Sequence, residues 1–316
     1  MTASVVIPTR NRAAQLRATL GSVIAEAEGA GAEVVVVDNG STDGTPALLA
    51  EFAAASPGRV RTIVEPEPGA ARARNAGVRV ARGTVVAFCD DDVRPRLGWL
   101  RALLARFADP RVACVGGRVF LLFDPAGRPP WLTGRLTDYL SAYDLGPRPI
   151  DLGTRSRGDS PRGASMAVRR AAFLDVGGFS PRLGPRSTRP SVGEESELCV
   201  RLLEGAHTVW YEPTAEVDHV VDAARLDPTW FLARAFWTGW AEGSTDARHR
   251  RLWNIAGRLR WHYGSHALRF PRSLRRAFDG EQLMRECQRR EAWGYTTALL
   301  RELPRRERRL PIAEAR

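Results

Sequence analysis

Three carboxylates in succession, Asp90, Asp91 and Asp92, stand within the segment TVVAFCDDDVRP (84–95), directly after an apolar run that reads as a buried strand. Adjacent like charges repel, so something positive must sit among them. At an extended strand end successive side chains alternate in direction, which puts Asp90 and Asp92 on one side and turns Asp91 towards backbone or solvent. Two carboxylates aimed at one point suit a hard divalent cation, Mg²⁺ or Mn²⁺, shared with phosphate oxygens of a substrate. The competing explanation is a solvated acidic turn capping the helix at 96–107.

Other strand ends carry polar groups of a kind that would complete a nucleotide site: PTRNR (8–12) after the first strand and DNGSTDGT (38–45) after the second. Asp38 suits hydrogen bonding to a ribose or a base edge, and Arg10 with the glycine-rich turn suits the anionic part. Arg72, Arg74 and Asn75 begin a helix after the third strand, where main-chain N–H groups and guanidinium charge favour a phosphate. Neither GxGxxG nor GxxxxGK[ST] occurs, which argues against a dinucleotide fold or a P-loop.

These groups need elements to hold them. SVVIPT (4–9), EVVVVD (33–38), RVRTIVE (59–65) and TVVAFCD (84–90) are apolar runs of strand length, separated by helical patterns such as NRAAQLRATLGSVIAEA and GAARARNAGVRVA. That alternation implies βαβ units, an α/β fold with a mostly parallel central sheet flanked by helices, and ligands at the carboxyl ends of the strands. Beyond 124 the pattern loosens into a Pro, Gly and Arg-rich stretch to 163. It recovers through a helix at 193–206 and a strand at 207–213, and from about 227 reads as helices. The expected organisation is a catalytic domain over 1–225, nucleotide binding in its first half and the acceptor side in its second, followed by a helical, Arg-rich region over 226–316.

With 44% apolar and 26% charged residues, the 316-residue chain has an ordinary globular composition. Its four cysteines are scattered, suggesting buried thiols rather than a metal site or disulfides. The start MTASVVIPTRNR lacks the charged and apolar stretches of a signal peptide, so a cytoplasmic protein is the expectation. The net charge of +11 invites a nucleic-acid reading. However, residues 248–316 hold 18 Arg against 7 acids, and residues 1–247 hold 29 of each, so the whole excess is C-terminal. A nucleic-acid partner is therefore not expected, since it would leave Asp90 to Asp92 unexplained.

The motifs VVIPTRNR, VVVVDNGSTDGT, GAARARNAG, FCDDDVRP, GASMAVRRAAFLDVGGF, GEESELCVRL and YEPTAEVDH occur in an order that resembles the inverting, family 2 glycosyltransferases with the GT-A fold. The resemblance covers roughly residues 3–221. It implies a metal-dependent transfer of sugar from a nucleotide-diphosphate sugar, a UDP-sugar above all, to a sugar, lipid-linked or small-molecule acceptor. Pro8, Thr9, Arg10 and Asp38 would line the nucleoside pocket, with Arg72 near the diphosphate. Asp90 and Asp91 complete the nucleotide-sugar set. Asp90 and Asp92 would form the DxD metal pair, joined by His219.

An inverting transfer needs one carboxylate outside the metal cluster to deprotonate the acceptor hydroxyl. Glu194 and Glu195, opening a helix whose next face carries Leu198, Leu202 and Leu203, fit that post. Acids there also complement a helix dipole without any chemistry. The family often has Asp at the second position, where this chain has Glu195, so the choice between the two stays open, with Glu195 preferred. Specificity is expected from the irregular stretches 124–163 and 179–193.

In the C-terminal region Trp230, Trp237 and Ala241 share a helical stripe suited to packing. A second helix sets Leu252, Ile255, Ala256 and Leu259 against Arg250, Arg251, Arg258 and Arg260. A basic, Trp-containing amphipathic helix of this kind can lie on an anionic membrane, peripherally on the inner face of the cell membrane, where a lipid-linked acceptor resides. Alternatives to the leading reading are a nucleotidyltransferase with the same metal logic and a basic binding protein without catalysis.

Overall fold

The computed structural model describes residues 2–123, 127–154, 159–185, 190–249, 252–264 and 279–306. Arg250 and Arg251, and parts of the two stretches expected to set specificity, lie outside the described residues. In chain order the elements are β1 (Ala3–Thr9), α1 (Ala13–Ala30), β2 (Glu33–Asp38), α2 (Thr45–Ala55), β3 (Val60–Val64), α3 (Ala70–Val80), β4 (Val85–Phe88), β5 (Val93–Pro95), α4 (Trp99–Ala105) and β6 (Val112–Leu122). They continue with α5 (Leu136–Tyr139), β7 (Ile150–Asp151), β8 (Met166–Arg169), α6 (Arg170–Asp175), α7 (Glu194–Glu204), β9 (Thr208–Val220), α8 (Pro228–His249), α9 (Leu252–Gly264) and α10 (Gly280–Arg306). The chain divides into two compact units.

The first unit comprises Met1–Arg128, Leu140–Arg189 and Glu194–Ala223. Its sheet runs β3-β2-β1-β4-β8-β6-β9-β5, with β7 paired to β9. β3, β2, β1 and β4 are parallel, as βαβ alternation requires. β8 enters antiparallel between β4 and β6, which makes the central sheet mixed. Val5 to Ile7, Val34 to Val37 and Val85 to Phe88 are fully buried. Strands covered on both faces tolerate only such apolar runs, and each buried Val or Phe contributes about 1.5–3 kcal/mol. All four cysteines are buried thiols.

The register carries the functional consequence. Thr9 pairs with Asp38, and Asp38 with Val64, so three strands finish level with one another. β4 stops at Phe88, two residues short of Asp90, and β5 starts only at Val93. β5 then runs antiparallel to β9 with Val93 opposite His219. The chain thereby lays the histidine alongside the carboxylate turn.

The second unit comprises Pro129–Tyr139, Pro190–Gly193 and Ala224–Arg316. A Cβ on Gly239 would strike the Glu291 backbone, and one on Gly243 the Tyr295 backbone. The two contacts advance together by four residues, so α8 and α10 run parallel in close backbone contact that side chains would prevent. The buried positions of α8 include Phe231, Ala235, Gly239 and Gly243 on one stripe, and Ala241, as expected of it. Trp230 and Trp237, expected on the packing stripe, are only half-buried. Arg258 of α9, expected on the basic face of an amphipathic helix, turns inward to Glu242 at 2.7 Å and Asp246 at 3.5 Å. The buried Asp246 carboxylate draws it in, because an acid left unpaired in that interior would be costly, and the more exposed Glu242 adds to the pull.

Candidate functional site

The turn after β4 separates the three aspartates by partner. Asp90 Oδ1 accepts from Arg74 Nη2 at 2.7 Å. Asp91 Oδ2 accepts from Thr9 Oγ1 at 2.8 Å, while its backbone oxygen accepts from Thr19 Oγ1 at 2.9 Å. Asp92 Oδ2 accepts from Arg12 Nη1 at 3.0 Å, and Asp92 Oδ1 lies 3.2 Å from His219 Nε2. Arg12 Nε reaches Asp91 as well, at 3.9 Å. Of the alternation expected of Asp90 to Asp92, Asp91 does turn away from the partners of Asp90, towards Thr9 in the protein interior, but Asp90 and Asp92 go to separate partners instead of one point. The reason is that β4 has ended by Phe88 and Asp91 and Asp92 form a turn, so strand periodicity has no hold on residues 90–92.

Burial disfavours the Asp91 carboxylate, and the Asp92 charge adds to that, against Arg12 and the Thr9 hydroxyl; the net effect lifts its pKa to about 7. Burial opposes the Arg12 charge too, but Asp91 and Asp92 outweigh it and hold its pKa above the ordinary arginine value. Arg12 is thus a cation that the like-charged run needs.

Arg74 is the other. It is buried on α3, and besides Asp90 it donates from Nη1 to Glu194 Oε1 at 2.9 Å and lies 3.7 Å from Glu195 Oε1. Burial disfavours its charge, yet Asp90, Glu195 and Glu194 together raise its pKa above normal. The guanidinium carbon lies 5.8 Å from the centre of the Phe179 ring. Asn75 fixes that ring's backbone from both sides, donating to the Phe179 carbonyl at 2.8 Å and accepting from its N–H at 2.9 Å. The segment before β8 comes close as well: Gly163 N donates to Glu195 Oε1 at 3.2 Å. A Cβ there would meet Glu195 Oε1 at 2.5 Å and Arg74 Nη2 at 2.7 Å, so any larger residue would push these two side-chain ends out of their present places.

The two acids opening α7 are therefore unequal. Glu194 is buried against Arg74, whereas Glu195 is half-buried and held by one backbone donor. An acid that must receive a proton from an incoming molecule needs the second situation.

Around the level ends of β1, β2 and β3 a second group forms. Pro8 and Thr9 end β1, and Asp38 ends β2 with its Oδ1 accepting from Ser41 N at 2.9 Å. Asn39 donates to the Glu65 and Glu67 carbonyls at 2.8 and 2.7 Å and accepts from Gly69 N at 2.7 Å. It ties the end of β2 to the loop that opens α3. Arg10 makes no ion pair among the described residues, and Arg72, more exposed, pairs with Glu67 at 2.9 Å. Most of the expected residues thus fall into three groups: Pro8, Thr9 and Asp38 at the strand ends, Asp91, Asp92 and His219 with Arg12, and Asp90, Glu194 and Glu195 around Arg74.

Asp92 and His219 place an oxygen and a nitrogen donor side by side, a chemistry that an ion such as Mn²⁺ accepts. Asp90, expected as the third ligand, is drawn to Arg74. No group of three His, Cys, Asp or Glu side chains converges closely enough to hold an ion among the described residues. The two donors present fit a cation that takes its remaining ligands from substrate phosphates. Arg12, Asn39 and the bridging role of Arg74 escape a reading of sequence, the only signal being that three adjacent acids require cations.

The family model for glycosyl transferase family 2 matches residues 4–175, and the chain belongs to that family. Among curated proteins it is 35% identical over 237 residues to a pre-mycofactocin glycosyltransferase of Mycobacterium tuberculosis, covering 75% of this chain and 46% of that one. It is 26% identical over 183 residues to a glucosyl-dolichyl phosphate glucuronosyltransferase of Haloferax volcanii, covering 56% of each. The chain spans about half the length of these relatives. Among solved structures it is similar to a mannosyltransferase of Pyrobaculum calidifontis in complex with GDP-Man and Mn²⁺, with a TM-score of 0.56, 20% identity, and 94% of this chain and 73% of that one covered. That likeness establishes the GT-A fold.

Proposed function

We propose that the protein is a metal-dependent, inverting glycosyltransferase that moves a sugar from a nucleotide-diphosphate sugar to an acceptor hydroxyl. The observation that carries the reading is Arg74, whose one guanidinium reaches Asp90 of the carboxylate turn and both acids of α7. Leaving-group and base machinery lie within a single side chain's span. Pro8, Thr9 and Asp38 receive the nucleoside, and Arg10 and Arg72 face the diphosphate. Asp92 and His219 hold the divalent ion, Mn²⁺ or Mg²⁺, which when bound offsets the charge of the departing diphosphate.

Glu195 is the base. Its carboxylate takes the acceptor's proton as the acceptor oxygen bonds to the anomeric carbon, while the bond from that carbon to the diphosphate oxygen breaks and its electron pair leaves with the phosphate. Attack from the face opposite the leaving group inverts the configuration. Glu194, buried and paired with Arg74, instead fixes the start of α7. The acceptor is a sugar, a small molecule or a saccharide carried on a lipid, and the lipid case goes with a peripheral contact to an anionic membrane at its inner face.

Thermal-shift measurement with nucleoside diphosphates and their sugars, with and without Mn²⁺, tests this reading. A nucleotide-selective rise in Tm that needs the ion is expected. Indifference to every nucleotide in the presence of Mn²⁺ contradicts it.

A further inference from the structure

The second unit carries an aromatic and arginine face that its own interior does not use. On α10 Arg290, Trp293, Thr297, Leu300 and Arg301 fall on one side of the helix by their three- and four-residue spacing. Trp293 is 56% exposed and Leu300 72%. The face continues onto α8: the Trp293 ring lies 5.3 Å from Phe236, which lies 5.4 Å from Trp237, and Trp237 lies 5.9 Å from Trp240. Guanidinium groups bracket this row, Arg290 5.6 Å from the Trp293 ring and Arg301 5.5 Å from the Trp240 ring. Glu286 pairs with Arg290 at 3.7 Å, whereas Arg301 has no acidic partner among the described residues.

We infer that this face of α8 and α10 is the surface that docks on an anionic lipid bilayer. It deepens the peripheral contact proposed above, which it relocates from α9, yet needs no part of the catalytic reading. Tryptophan favours the boundary between headgroups and acyl chains, where its ring is apolar and its N–H remains wet. Arginine beside it meets the anionic headgroups. The charge fits: the region from 248 onward carries 18 Arg against 7 acids, and RRERR follows at 305–309. α9 is the weaker candidate, since Ile255 is buried and Arg258 is consumed by Glu242 and Asp246. The contact is a surface one, because no helix among the described residues is long and apolar enough to cross a membrane.

Sedimentation of the full chain with vesicles tests the assignment, using phosphatidylcholine alone against an equal mixture with phosphatidylglycerol at physiological salt. The wild type should pellet with the mixed vesicles only. Trp293→Ser, at an exposed position, should weaken partitioning about tenfold, and Arg301→Gln about fivefold with a shallower salt dependence. Both should keep the wild-type Tm. No binding of the wild type, or binding unchanged in both variants, overturns the inference. So does a wild-type dimer that Trp293→Ser converts to monomer without any vesicle binding, for the face would then join two copies of the chain. Glu195→Gln should bind vesicles like the wild type, so a failure here leaves the transferase reading standing and a failure there leaves this one.

Discussion

Arg74 Nη1 donates to Glu194 Oε1 at 2.9 Å, with both side chains almost wholly buried. A buried pair of this kind is costly to break by removing one partner, about 3–5 kcal/mol, because the survivor is left charged and unmatched. Arg74→Met should therefore lower stability by roughly that amount in urea unfolding. Arg74→Lys should restore part of it without restoring activity, since an ammonium cannot fork between Asp90 and Glu194. If Arg74→Met unfolds like the wild type, Arg74 does not hold the two halves of the site together.

Asp92 and His219, 3.2 Å apart, should be the ion's protein ligands. Asp92→Asn should abolish Mn²⁺-stimulated donor turnover, and His219→Ala should weaken Mn²⁺ binding, read by the loss of the free ion's electron paramagnetic resonance signal on titration. Asp90→Asn should weaken that binding less than either, because Asp90 is engaged by Arg74. Equal losses in all three would return Asp90 to the ligand set.

Asn39 touches the loop 65–69 through three hydrogen bonds. Each is worth about 1 kcal/mol net, and the loop leads into α3 where the diphosphate is expected. Asn39→Ala should raise the donor KM by roughly tenfold or more while kcat changes little. A fall in kcat at unchanged KM would place its effect on chemistry instead.

Glu291 in the second unit is a buried acid accepting from the Tyr139 hydroxyl at 2.8 Å. Burial, reinforced by the Glu242 charge, pushes its pKa up to about 7. The folded state thus holds a proton that the unfolded chain releases near pH 4. Its stabilising effect is complete below that pH and is lost as pH rises towards 7, on the order of 2–3 kcal/mol. Urea unfolding at pH 5 and pH 7.5 should show this decline, and Glu291→Gln should flatten it. A decline of the same size in both proteins would assign it to other groups.

Much of this was legible in the residues themselves. The valine runs fix β1, β2 and β4 because only a doubly covered strand accepts them, and alternation with helices makes β1 to β4 parallel. Polar residues at the ends of those runs then mark the mouth of the site. The arrival of β8 between β4 and β6 was not legible, since a short apolar strand says nothing of its direction. Nor were the counter-charges: every one of the 47 basic residues is arginine, so nothing in composition singles out Arg12 or Arg74. Their selection depends on helices α1 and α3 returning to the carboxylate turn. Arg258 escaped for the same reason, its acids lying on another helix.

The most direct test of the central claim compares Glu195→Gln with the wild type for donor binding and for transfer in a single turnover. The account predicts that nucleotide-sugar affinity stays within about twofold while transfer slows by about 10²–10⁴-fold, the range ordinarily supplied by a general base. Transfer at the wild-type rate by Glu195→Gln would contradict it.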